Sequence, residues 1–294
     1  MAPARDGSRG RRDPLRAPPE RCEVWGILNV TPDSFSDGGR YVEPARAVAH
    51  AERMVREGAD VIDVGGESSR PAGATYGEGA ERVPVEEELR RVLPVVRELC
   101  ARSIRVSIDT VKPEVARAAL EAGATIVNDV SCGASDALLD VVAAHGAELV
   151  LMHSREGGRV DARTTAYDDV VADVRAELER AVDRAAARGV DRDRIWIDPG
   201  IGFAKTPAQS VALLGNLDVL VRTGYRVLVG ASRKSFIART VDPDGAGPGV
   251  EARLGGSLAA VTAAVLAGAS AVRVHDVFES VQAARVAEAM RRAR

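Results

Sequence analysis

Asp109 in SIDT, Asn128 with Asp129 in VNDV, and Asp198 in IDPG each close a short apolar run, and each carries groups that could do chemistry. Taken singly, an Asp before Thr or Pro is as often a helix N-cap. Taken together around one mouth, carboxylates and an amide offer donors and acceptors suited to a flat heterocycle with amino and carbonyl edges, rather than to a sugar. Phe203, in the loop that follows Asp198, could stack on such a ring. A second set has the chemistry of anion binding. GASRKSF opens a helix straight after a strand, its first-turn N–H groups unpaired, with Ser232 as the expected cap and Arg233 and Lys234 adding charge. Arg273 and His275 stand two apart at the end of the last strand, so both face the mouth and read as a clamp for phosphate or diphosphate. Arg70 in GGESSRP, beside the hydroxyls of Ser68 and Ser69, closes on that clamp from the second loop.

Composition sharpens these assignments. The chain has 40 Lys and Arg together but keeps only Lys112, Lys205 and Lys234 as lysines, and its only asparagines are Asn29, Asn128 and Asn216. A rare residue type just after a strand points to chemistry, and the compact ammonium of Lys234 is not replaced by a planar guanidinium. Phe35, Phe203 and Phe236 also fall in post-strand segments, while Phe278 does not. Lys205 in GFAKT reads as lying behind the site or on the surface, and Lys112, next to Pro113, as the first turn of a helix. His50, His145 and Cys132 take a structural reading, and His153 follows a strand without an evident partner. Neither zinc-ligand spacing nor a serine nucleophile elbow occurs.

These residues need a scaffold that gathers strand ends. Short β-branched runs alternate with amphipathic ones: strands at 24–28, 60–64, 104–108, 125–127, 148–152, 194–197, 226–229 and 271–274, with helices at 43–57 and 85–101 and a last one from 277 to the end. Strands too apolar to face water, in units of roughly 30 to 35 residues, require a parallel sheet covered by helices. Eight units in one composition regime favour an α/β (β/α)8 TIM barrel over an open sheet, and in a barrel the site gathers at the C-terminal strand ends. Those ends carry Asn29, Asp63, Asp109, Asn128, Met152-His153, Asp198, Ser232 and Arg273-x-His275, whereas the opposite rim repeats Gly-Ala, as at Gly58, Gly123, Gly146 and Gly268. Residues 1–21 read as a disordered Arg/Pro-rich leader without a secretory h-region, and 22–294 as one barrel domain.

A net charge of −3 and a pI near 5.9 give no general attraction to nucleic acid or an anionic membrane, and the weakly polar run 258–272 is too short to span a bilayer. Three cysteines, Cys22, Cys100 and Cys132, without metal spacing fit reduced thiols in a cytoplasmic protein.

NVTPDSFSDGG (29–39) and ADVIDVGGESSRPAGA (59–74) look like two signature segments of the dihydropteroate synthases. SIDT, VNDV, LMH, IDPGIGF with its following KT, GASRKSF, RLGGSLA and RVHDV then come in that family's order, so the chain resembles the family over residues 22–290. The resemblance implies a (β/α)8 barrel, usually a homodimer built through its late helices, with Mg2+ assisting. The implied transferase joins 4-aminobenzoate to (7,8-dihydropterin-6-yl)methyl diphosphate on the folate route, giving 7,8-dihydropteroate and diphosphate, with sulfonamides competing at the aminobenzoate site.

By the same resemblance, Asp109, Asn128, Asp198 and Lys234 hold the pterin, with Met152 and Phe203 against its face. Asn29, Ser69, Arg70, Arg273 and His275 hold the diphosphate, Asn29 reaching the Mg2+. Ser235, Arg70, Pro71 and Phe35 border the aminobenzoate, and Arg70, Lys234, Asp33 and Arg273 serve the catalytic step. Three departures stand out: Ala204 where the family commonly has Gly, Ser69 where it has Thr, and SREGGRV after Met152-His153. Asn29 is expected in fixed contact, with Asp33, Phe35 and Gly38-Gly39 in a mobile lid that excludes water. Two rivals share the pterin pocket. A methyltetrahydrofolate-dependent corrinoid methyltransferase has no use for Arg70, Lys234 and the Arg273/His275 clamp. A non-catalytic paralogue would have lost part of them.

Overall fold

In the computed structural model the described residues are 19–30, 42–67, 83–245 and 247–293. Asp33, Phe35, Gly38, Gly39, Ser68, Ser69, Arg70 and Pro71 lie outside them. Eight parallel strands close in sequence order into a barrel: β1 (Glu23–Asn29), β2 (Val61–Gly65), β3 (Val106–Asp109), β4 (Ile126–Asp129), β5 (Glu148–Met152), β6 (Ile195–Asp198), β7 (Arg226–Val229) and β8 (Ala271–Val274). Around it run α1 (Val42–Arg56), α2 (Val85–Ala101), α3 (Pro113–Glu121), α4 (Asp136–His145), α5 (Val170–Ala187), α6 (Pro207–Gly215), α7 (Leu217–Val221), α8 (Ser235–Val241), α9 (Leu254–Ala267) and α10 (Val277–Arg292). The expected eight units are present, with the sixth and seventh crossovers each divided between two helices.

Two apolar regions result from the period of two along each strand. Outward-facing residues such as Val64, Ile108, Val127, Leu149 and Ile197 pack against the helices. Inward-facing Trp25, Val61, Ile126, Val150, Trp196, Leu228 and Ala271 fill the lower barrel, with the two indoles edge to face at 5.2 Å between centres. The Gly-Ala rim turns as expected: Gly58, Gly123, Gly146 and Gly268 all have positive φ, where a helix end hands over to the next strand without a Cβ penalty.

Segment 250–267 differs from the reading at sequence level, being apolar enough by length and composition to cross a membrane. Its main part is α9, whose Ser257, Ala260, Val261, Ala264 and Val265 are buried within the fold. At the N-terminal side, ties to the barrel begin before residue 22. Pro19 O accepts from Arg291, and Cys22 N donates to Glu288 Oε1 at 2.7 Å.

The floor of the barrel is ionic. Glu23, Arg105, Glu148 and Arg226, all at the N-terminal ends of the odd-numbered strands, form a net. Arg105 Nη1 lies 3.1 Å from both Glu23 oxygens, and Arg105 Nη2 and Arg226 Nη1 each lie 2.7 Å from Glu148. Trp196 Nε1 also donates to Glu148 at 2.6 Å. Burial alone would raise the Glu148 carboxyl, but the Trp196 hydrogen bond and the two arginines outweigh it and hold the group below its ordinary range. Removing Glu148 takes away the carboxylate that Arg105, Arg226 and the Trp196 N–H share in a half-buried site, although Arg105 keeps Glu23 and Arg226 keeps Asp193 O. Glu148→Ala is therefore expected to cost about 2–3 kcal/mol in chemical denaturation without changing kcat, because the floor is at the opposite end from the strand ends that carry Asp109 and Asp198. A loss under about 1 kcal/mol would mean that the net is as weak as an exposed ion pair.

Candidate active site

Odd and even strands contribute alternate layers to a closed parallel barrel, and that arithmetic sets the depth of each polar group. Asp63, Asn128 and Arg273 are each the third residue of an even-numbered strand, not its last, and Asp198 closes β6. The four therefore share one inward-facing layer. Arg273 Nε donates to Asp63 Oδ2 at 2.5 Å, and Asn128 Nδ2 reaches the same oxygen at 3.2 Å. Asp109, from the odd layer above, accepts from Arg273 Nη2 at 2.7 Å. Gly230, after β7, keeps space open here: a Cβ there would lie 3.8 Å from Asp198 Oδ2 and 3.9 Å from Arg273 Cβ.

Asp63 is the residue that the sequence reading left without a role. It is fully buried and joins Arg273 to Asn128. The layer rule could have found it, since Asp63 stands at the same height in β2 as Asn128 in β4.

Arg273 is thus committed to two carboxylates deep in the mouth. Burial opposes its charge, but Asp63 and Asp109 raise its pKa above the ordinary value. Burial pushes the Asp109 carboxyl up to about 7 against the attraction of Arg273, with Asp63 adding to the rise. Asp198 is raised by burial too, while Lys234 and the Gly200 N–H, 2.7 Å from Asp198 Oδ1, act in the opposite direction. Two carboxyls whose pKa values burial raises, in a polar strand-end layer, suit a site for ring N–H and amino donors.

Lys234 approaches this layer from the β7–α8 turn. Burial lowers its ammonium to about 8, with Asp198 opposing the shift. Its Nζ donates to Ile201 O at 2.5 Å and sits 4.6 Å from the centre of the Phe203 ring. Phe203 and Met152 are 7% and 4% exposed, yet neither belongs to the two apolar cores. Met152 pairs in register with Asp198. Phe203 is therefore one wall of the polar mouth.

The residues expected to bind an anion take up different positions. Ser232 is not a helix cap, because the chain first turns through Arg233 at φ +58° and α8 starts only at Ser235, with Lys234 at the cap position. Ser232 Oγ instead accepts from His275 N at 3.2 Å and lies 3.1 Å from His275 Nδ1. Burial, reinforced by Arg273, pushes the His275 imidazole down to about 4. Arg233 pairs with Asp276 at 2.6 Å and Glu251 at 2.9 Å. Phe236 lies inside α8 and packs in the outer core.

Asn29 ends β1 exposed and pairs in register with Gly65, which in turn pairs with Asp109. Lys112 caps α3 and pairs with Glu67 and with Glu88, the latter at 2.5 Å. Lys205 is buried, which rules out the surface alternative of its reading. The assignment of His153 changes, because it has partners on both ring nitrogens, Lys205 at 2.8 Å and Glu177 at 2.9 Å.

The sequence profile described as "Pterin binding enzyme" matches residues 25–275. This chain belongs to the dihydropteroate synthase family of pterin-binding enzymes. A relative from Mycobacterium leprae named dihydropteroate synthase is 50% identical over 267 residues, covering 90% of this chain and 92% of the relative. Two crystal structures of the family from Xanthomonas albilineans share the fold. One, in complex with 7,8-dihydropteroate, has a TM-score of 0.79 and 43% identity over 92% of this chain and 94% of its own. The other, with 4-aminobenzoic acid, has a TM-score of 0.81 and 45% identity over 92% and 93%. Ala204, before Lys205, has φ +49°, a left-handed conformation that costs a residue with a Cβ some strain.

Proposed function

We propose that this chain is a dihydropteroate synthase, condensing (7,8-dihydropterin-6-yl)methyl diphosphate with 4-aminobenzoate. The observation that carries the reading is the single layer of Asp63, Asn128, Asp198 and Arg273, capped by Asp109 and walled by Phe203 under Lys234. Acceptors on Asp109 and Asp198 take the amino and N–H donors of the pterin, Asn128 offers both kinds of group, and Met152 and Phe203 bear on its faces. Arg273, His275, Asn29, Ser69 and Arg70 hold the diphosphate. Ser235, Arg70, Pro71 and Phe35 border the aminobenzoate.

The C–O bond to the diphosphate breaks with its electron pair going to the leaving group. The cation left on the pterin methylene is shared with the electron-rich ring. Carboxylates around that ring favour the cation, and cations at the other end favour the anion, so both charges that develop are met by groups already in place. The arylamine nitrogen, unprotonated at neutral pH, donates its lone pair to the methylene and then loses a proton. Arg70, Lys234, Asp33 and Arg273 act in this step through charge and position.

Among the described residues no group of three or more His, Cys, Asp or Glu could hold a metal ion. Mg2+ nonetheless fits this mouth, because it commonly takes one or two protein oxygens and completes its shell with phosphate and water; the exposed amide of Asn29 supplies one such oxygen. Bound there, Mg2+ would neutralise charge on the leaving diphosphate.

A homodimer accords with the outer surface of α10, where Phe278, Val286 and Met290, spaced along one helical face, are 57%, 61% and 48% exposed. The three cysteines are free, in keeping with a cytoplasmic enzyme.

Purified protein with Mg2+ should turn over both substrates with one diphosphate released per 7,8-dihydropteroate, and should sediment as a dimer. Absence of product with both substrates saturating refutes the activity, and methyl transfer from methyltetrahydrofolate would favour the corrinoid rival.

A further inference from the structure

We infer that Lys205, held by His153, Glu177 and Arg155, is a positioning residue that sets the Phe203 wall of the pterin site. The inference rests on the proposed function.

Lys205 is 2% exposed, and its Nζ makes two contacts, to Phe203 O at 2.8 Å and to His153 Nδ1 at 2.8 Å. Glu177 as a carboxylate can only accept, so the proton of the neutral imidazole resides on Nε2 and Nδ1 accepts from Lys205. Nε2 then donates to Glu177 Oε2 at 2.9 Å. Glu177 is a carboxylate: the hydrogen bond from His153, with Arg155 beside it, holds its pKa down to about 2. Burial keeps His153 neutral, its pKa pushed down to about 4. Arg155, Glu177, His153, Lys205 and Phe203 thus form a connected series in which Glu177 accepts from both neighbours and Lys205 donates to both.

The same residues join the segment after β5 to the loop after β6. Arg155 lies 3.8 Å from the centre of the Tyr167 ring and donates to Ala166 O at 2.9 Å. Tyr167 Oη donates to Ala204 O at 3.0 Å, and Ala204 N donates to Gly158 O at 2.9 Å. Gly158 faces Phe203 so closely that a Cβ would lie 2.5 Å from Phe203 Cδ1. Phe203 is therefore fixed three ways, with its carbonyl on Lys205, its ring edge on Gly158 and its ring face under Lys234. This gives the fifth loop, SREGGRV, a role in the pterin site although none of its residues needs to touch substrate.

Lysine suits the position because both acceptors converge on one enclosed point. A planar guanidinium spreads five donors and would leave some unsatisfied there. In a chain that otherwise uses arginine, this is a physical reason for keeping Lys205.

The test measures equilibrium binding of a 6-substituted pterin, KM for each substrate and thermal stability, for wild type, Lys205→Met, Phe203→Ala and the double variant. Lys205→Met should weaken pterin binding about tenfold and raise KM for the pterin diphosphate, while KM for 4-aminobenzoate changes less than about twofold. In the double variant the two losses should not add, because both act through the same ring. Glu177→Gln and Gly158→Ala reach Phe203 by separate routes and should shift pterin affinity in the same direction, which keeps the test open if Lys205→Met folds poorly. Unchanged pterin affinity in folded variants, equal effects on both substrates, or additive losses would overturn the inference. Wild type that binds no pterin would refute the functional reading itself, and this inference with it.

Discussion

Arg273→Ala should lower kcat/KM for the pterin diphosphate about a thousandfold, the upper range for deleting a group that meets transition-state charge, and should also destabilise the protein. Both effects follow from its position between Asp63 and Asp109. Stability falls because two buried carboxylates lose their common cation, a change that costs about 3–5 kcal/mol when a buried pair is broken. That cost depends on pH in a definite sense. Asp109 already has a folded-state pKa raised by burial to about 7, and losing Arg273 removes the largest influence that lowers it. A carboxyl with a raised folded pKa contributes stability that is complete below its unfolded value and is lost as pH rises through the folded one. Between the wild-type value and the higher one in Arg273→Ala, only the variant still carries the proton. Its stability deficit, read as a denaturant midpoint, should therefore widen as pH rises through 7. Arg273→Lys separates the two roles. One ammonium can restore charge, and with it part of the stability, but it cannot fork to Asp63 and Asp109 while facing a diphosphate. Full activity in Arg273→Lys, or a deficit in Arg273→Ala that is flat from pH 6 to 9, would show that this account of Arg273 is wrong.

The barrel was legible because each strand buries both faces and each helix one, so the change of period marked the eight strands to within two residues and placed the first, second and last helices. The rim was legible for a related reason, since helix-to-strand turns need left-handed glycines and strand ends do not. Depth and pairing were less accessible. Local sequence shows which residues of a strand share a face, but the layer in which each sits depends on how the register closes around the barrel. Arg273 is legible as a cation at a strand end, but its pairing with Asp63, 210 residues earlier, follows only from closure of the barrel. His153 seemed unpartnered because Glu177 projects from α5 and Lys205 from the next loop, 24 and 52 residues along the chain. Ser232 failed as a cap because the turn at Arg233 uses up the residues that a cap would have preceded. The rarity of lysine did carry information: of the three, two converge on Phe203.

Lys234→Met should reduce kcat/KM for the pterin diphosphate about a hundredfold, within the range for removing one preorganised donor, and should remove the alkaline limb of its pH profile. In the proposed binding mode Asp109 of the free enzyme must be a carboxylate to accept from the pterin, and burial pushes its pKa up to about 7. Lys234 must be an ammonium to face Asp198 and the ring above Phe203, and burial places the loss of its proton at about 8. The wild-type profile of kcat/KM should then be a narrow bell, falling about tenfold per pH unit on either side. Lys205 adds no third limb although burial lowers it to about 7, because a neutral amine still has the two N–H groups that Phe203 O and His153 Nδ1 require. Substrate ionisations are common to both proteins and cancel in the ratio of their profiles. That ratio should fall above pH 8 as the wild type loses what the variant never had. Without Lys234, the largest attraction that lowers it, the buried Asp198 of the variant should bind a proton more tightly, although Arg273 and Lys205 still act on it. An alkaline limb that survives unchanged in Lys234→Met would assign it to another group and leave Lys234 a structural ligand of Ile201.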